Sequence, residues 1–89
     1  MNLYTVKMSS VGNPDFGEDP KKSKSPKINM PCNSLKECSR HCLKYIGMFD
    51  LGGGNWNGGQ VFQDGIQIAR ISYNGRIWDM DDKEIKASS

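Results

Sequence analysis

The sequence predicts a small α+β domain: an antiparallel sheet of four or five strands with one helix packed on one face, in the order ββαβββ. Two turn pairs and one capping signature carry that prediction. Asn74-Gly75 and Asp64-Gly65 separate β-prone runs, and both pairs tolerate the positive φ angles of a type I′ hairpin turn. Ser34-Leu35-Lys36-Glu37 is a capping box, in which the Ser34 hydroxyl accepts from the Glu37 amide while the Glu37 carboxylate reaches back to the Ser34 amide.

Taken in order, residues 3–8 alternate, with Tyr4, Val6 and Met8 on one face, and read as a strand. Residues 12–26 shift to Gly, Pro, Asp, Ser and Lys around a single large apolar residue, Phe16, which predicts a mobile basic loop. Residues 27–30 alternate again as a second strand, stopped by Pro31. The helix spans 35–46, with Gly47 as its stop. Leu35, Cys38, Cys42, Tyr45 and Ile46 form its apolar stripe, and Lys36, Arg40 and Lys44 recur at i, i+4, i+8 as a basic one. A Gly-rich stretch, 52–59, leads into a meander over 60–63, 66–73 and 76–80.

Two-residue turns also predict a register. They place Tyr73 opposite Arg76, Ile71 opposite Trp78 and Ala69 opposite Met80, with Gln63 facing Ile66 and Phe62 facing Gln67. Side chains alternate along a strand, so Phe62, Ala69, Ile71, Trp78 and Met80 are assigned to the core under the helix. The opposite face then carries Val61, Ile66, Ile68 and Ile77, with Arg70 across from Asp79. That face is more apolar than a solvated sheet requires, which marks it as a contact surface.

Eighty-nine residues make one domain, 1–89, with a small core. Such a chain has little room for a deep catalytic cleft and the shell that would hold it. The net charge of +2 is too mild to imply a partner by itself, so local patterning must carry that argument. The first residues lack the apolar run of a signal peptide or membrane span, and three cysteines without a secretory context argue against a disulfide framework. A reduced, cytoplasmic chain with no membrane partner is the resulting expectation.

Candidate chemistry is sparse. Cys32, Cys38, His41 and Cys42 lie close in sequence but lack the paired short-spaced knuckles of a metal site, so the thiols read as core packing and no metal is expected. The Gly-rich stretch lacks the Gly-Lys-Ser/Thr ending of a phosphate loop and precedes a strand, not a helix. Trp56 within it either folds back on the core or anchors a partner. Lys21, Lys22, Lys24 and Lys27 form a basic run that is either solvated or a source of phosphate contacts, and the helix stripe could extend it into one positive surface. Asp79, Asp81, Asp82 and Glu84 read as solvated carboxylates. No nucleophile and base can be paired, so neither an enzyme nor a cofactor is expected.

The order strand, strand, capped helix and meander, with the segment Ile68-Ala69-Arg70-Ile71-Ser72-Tyr73-Asn74-Gly75-Arg76-Ile77-Trp78-Asp79, resembles small phage-borne accessory proteins, among them type I anti-CRISPR proteins. The likeness covers residues 27–82, and the basic loop and the Gly-rich loop depart from it. It implies a stoichiometric binder of a large host complex, such as a CRISPR surveillance complex, acting in the host cytoplasm. The expected function is thus a non-enzymatic inhibitor docking on a host protein or nucleoprotein complex. Its expected partner-binding residues are Lys36, Arg40, Lys44, Lys21, Lys22, Lys24, Trp56 and Ile68. The alternative is a direct DNA- or RNA-binding protein using the basic loop and the helix.

Overall fold

The structure, a computed structural model, describes residues 3–12, 17 and 25–86. Among the described residues six antiparallel strands, β1 (Tyr4–Met8), β2 (Ile28–Cys32), β3 (Gln60–Gln63), β4 (Ile66–Ile71), β5 (Ile77–Asp79) and β6 (Glu84–Ile85), form one open sheet in the order β2-β1-β3-β4-β5-β6. One helix, α1 (Leu35–Met48), packs on one face against β1, β2 and β4. The α+β class and the helix-on-one-face arrangement are as expected; the sheet has one strand more than the larger of the predicted numbers.

The alternation of β1 places it inside the sheet, with Val6 paired to Met30 on one side and Val61 on the other. Val6 and Met8 are buried under the helix, and Tyr4 packs at the margin of the same core. β2 does not stop at Pro31 but continues to the fully buried Cys32. Because β2 is an edge strand, a residue without an amide donor is tolerated there.

Ser34 caps α1 as expected, accepting from the Glu37 amide at 3.1 Å. The Glu37 carboxylate instead accepts from the amide of Asn33 at 2.9 Å, one residue before the predicted partner. Cys38, Cys42, Tyr45 and Ile46 are buried along the predicted stripe. Gly47 is not the stop: the helix runs on to Met48, and Asp50, at φ 51°, takes the left-handed position. The Leu51 amide donates to Ile46 and the Asp50 amide to Gly47, which is the Schellman pattern of a helix end. Leu51, buried at 4% exposure, supplies the apolar contact that usually accompanies it.

Ala69 and Ile71 are buried on the helix side as expected, but two features reverse the predicted faces of their neighbours on β3 and β5. Asp64 and Gly65 both have positive φ, as a two-residue turn demands, and Gln63 pairs with Ile66 and Phe62 with Gln67 as expected. A bulge then follows: Val61 pairs with Ala69, so Ile68 is an extra residue on β4. That insertion sends Val61, fully buried, to the helix side and Phe62 to the outer side. At the second hairpin only Gly75 has positive φ, at 85°, and the Ser72 amide donates to the Arg76 carbonyl across a longer loop. Ile71 therefore pairs with Ile77 and Arg70 with Trp78, one residue off the predicted register. Ile77 is buried, whereas Trp78 leaves the core and Met80 is 56% exposed.

The helix explains that choice of turn. Ser39 Oγ donates to the Gly75 carbonyl at 2.7 Å, and Leu43 lies so close that a Cβ on Gly75 would approach its Cδ1 to 2.9 Å. The hairpin is thus docked on α1 and not shaped by its own two residues alone. The sixth strand arises from the acidic segment. Asp79 Oδ1 accepts from the amides of Asp81 and Lys83, the Asp79 amide donates to Lys83, and Asp82 sits at φ 61°. Asp81, Asp82 and Glu84 are exposed, as expected of solvated carboxylates, whereas Asp79 is half-buried and builds a hairpin turn.

Candidate partner-binding surfaces

On the exposed flank of α1, Lys36, Arg40 and Lys44 all lie open to solvent, and none is ion-paired among the described residues. Their regular spacing puts them on one side of the helix, away from the buried thiols. Lys36 also lines a shallow groove of about 220 Å³ with Ser39, Arg76, Glu84 and Lys86. The basic surface therefore crosses from the helix onto the β5–β6 edge, with Arg76 and Lys86 as additions. The sequence holds both cations, but their neighbourhood to Lys36 depends on the Ser39–Gly75 contact, which no local pattern encodes.

Glu37 and His41 sit on the same helix, with Nε2 of His41 3.5 Å from the carboxylate. The amide of Asn33, and then the His41 imidazole, hold the Glu37 carboxyl below its usual range. This pair moderates the positive field near the first turn but leaves Arg40 and Lys44 unopposed in any ion pair.

Trp56 is not a free anchor. Its indole Nε1 donates to the Ile71 carbonyl at 3.1 Å, its ring lies 5.9 Å from that of Tyr45, and Ser10 pairs with it as an isolated β-bridge. It is partly buried and closes the end of the core. Ile68 is likewise partly buried, the extra residue of the bulge packed against the core, so the predicted apolar outer face does not form. Lys21, Lys22 and Lys24, and most of the 12–26 loop, lie outside the described residues. The return of that segment is anchored: Ser25 Oγ shares buried hydrogen bonds with Ser10 and with the Tyr45 hydroxyl, which also donates to the Pro26 carbonyl.

The outer face of the sheet is instead polar and aromatic. Lys7 Nζ lies 4.8 Å from the centroid of Phe62, and the Arg70 guanidinium 5.6 Å from that of Trp78. Arg70 also bonds Asp82 at 3.0 Å. Two open grooves of about 550 and 430 Å³ flank Phe62 and share Lys7 and Asn29. The sequence reading missed this surface because it placed Phe62 and Trp78 inside.

Cys32, Cys38 and Cys42 are buried and unpaired in disulfides. Burial, reinforced by neighbouring thiols, drives the Cys38 group far above the usual thiol range and pushes Cys42 up to about 12; burial also raises Cys32, against the opposing hydrogen bond with Cys38. Neutral thiols of this kind are poor nucleophiles and poor ligands. Among the described residues, no group of three or more His, Cys, Asp or Glu side chains is arranged to hold a metal. No helix among them is long and apolar enough to cross a membrane.

Comparison with protein-family models, with curated proteins and with solved structures gives no match for this chain.

Proposed function

We propose that this chain is a non-enzymatic binding protein that docks the exposed basic side of α1 on an acidic protein surface. The observation that carries this reading is the row Lys36, Arg40, Lys44, solvent-facing and free of ion pairs among the described residues, on a helix whose other side is fixed in the core. Such a row steers encounter with an acidic surface and disfavours wrong partners. In its specific form, supported by the layout resemblance, the protein is a phage-type inhibitor that covers part of a host defence nucleoprotein complex, such as a CRISPR surveillance complex.

Replacing Lys36, Arg40 and Lys44 together with Glu tests the reading. The variant keeps its fold, because these side chains lie outside the core, and loses partner binding. Affinity of the unaltered protein falls with added salt, as screening shortens to about 8 Å at physiological ionic strength. Capture from host lysate, with and without nuclease, reads the outcome. A protein partner that survives nuclease and disappears with the triple variant supports the reading, and retention by the variant removes it.

One observation favours direct nucleic-acid binding as a second reading. Phe62 and Trp78 on the outer sheet face, each beside a cation, form the kind of surface on which unpaired bases stack. In that case Phe62→Ala and Trp78→Ala weaken binding to a single-stranded oligonucleotide, and nuclease abolishes all capture.

A further inference from the structure

β2 has a strand neighbour on one side only among the described residues, so its outer N–H and C=O groups are open to another chain. Beside that edge, between β1 and β2 on one side and α1 on the other, lies a groove of about 180 Å³. Met8, Ile28, Met30, Tyr45 and Met48 give it an apolar lining, His41 and Lys44 complete it, and among the described residues no carboxylate takes part. Met48 is 64% exposed, so the groove opens to solvent and is not a sealed void. Arg40 stands exposed one helical turn before Lys44.

The size of this groove points to its occupant. It is smaller than the roughly 300–1,000 Å³ of sites that hold small molecules, and it suits one apolar side chain. Methionines adapt their shape to such a guest, as they do on other peptide-binding surfaces. An open strand edge beside an apolar pocket and a helix is the arrangement by which extended peptides are held. Main-chain pairing supplies affinity there, and the pocket reads alternate side chains. The cations on the helix side set the sign of the guest.

We propose that an extended, acidic segment of a partner protein adds to β2 as a further strand. One of its apolar side chains seats between Met30, Tyr45 and Met48, and its carboxylates face Lys44 and Arg40. This deepens the protein-docking reading and rests on it: the basic helix steers the partner, and the groove provides the buried anchor that charge alone lacks. Pro31 has no amide to give, so pairing centres on residues 28–30.

Selection of a random dodecamer peptide library on the full chain tests the proposal. The expected binders share one apolar position flanked by Asp and Glu. Against a synthetic peptide of the selected sequence, Met48→Glu lowers affinity about tenfold or more, the loss of a buried anchor. Lys44→Glu lowers affinity and flattens its salt dependence, whereas Ile66→Glu, at an exposed position on the β3–β4 hairpin, changes nothing. Amide exchange at residues 28–30 slows when the peptide binds. A selection that yields no acidic consensus, or peptides indifferent to Met48→Glu that leave those amides unchanged, overturns the proposal. Failure of the docking reading looks different: partner capture then survives reversal of Lys36, Arg40 and Lys44, whatever the peptides do.

Discussion

Asp50 holds the left-handed position that glycine usually fills where a helix ends in this motif. At φ 51° its Cβ crowds the following carbonyl, a conformation that costs an ordinary residue roughly 1–2 kcal/mol. Asp50→Gly is therefore expected to raise stability by about 1 kcal/mol, read as a higher midpoint in chemical denaturation. Gly59 is the opposite case. It donates to Lys7 and accepts from Ile71 at φ 91°, and a Cβ there would overlap the Ile71 carbonyl oxygen. Gly59→Ala should cost on the order of 3 kcal/mol or more, seen as loss of a cooperative transition. The thiols add a pH dependence. Their folded pKa values are raised, so above the unfolded thiol value of about 8.5 the unfolded chain binds fewer protons than the native one. The thiol contribution to stability is thus complete below that pH and falls as pH rises toward the native values. Denaturation between neutral pH and about pH 10 should show this decline. Cys42→Ala should shallow the slope while costing on the order of 1 kcal/mol in packing at neutral pH.

At the scale of elements, legibility followed how local each determinant is. The Ser34 cap was readable because a hydroxyl and an amide three residues apart form a closed local unit. Asp64-Gly65 was readable for the same reason, since its two residues adopt the turn unaided. Asn74-Gly75 looked equivalent, but Ser39 and Leu43 draw the hairpin onto the helix, and a longer loop meets that demand. The Ile68 bulge was likewise invisible, for nothing in an alternating run announces an inserted residue. β6 was missed because its turn is organised by a carboxylate without a glycine. Asp79→Ala removes both of those side-chain bonds and should cost about 1–2 kcal/mol, with loss of amide protection at residues 84 and 85.

Across the whole molecule, the basic helix face was legible because i, i+4 spacing fixes it before any fold is known. The anchors were not. Trp56 could be placed only by its bond to Ile71, and the methionine groove needs β1, β2 and α1 assembled before it exists. The sheet also has unlike margins. β2 is five residues long, with 28–30 free to pair, whereas β6 ends the other side with two and is flanked by Lys83 and Lys86. Short, charged margins resist pairing. A chain with one receptive margin can accept a neighbour but cannot pass the pairing on, so it terminates a sheet instead of propagating one. Association through β2 should accordingly saturate at one partner per chain, or at a closed pair of copies, and never polymerise. Mass measurement across a concentration series should show that ceiling, and growth into open-ended fibres would contradict it.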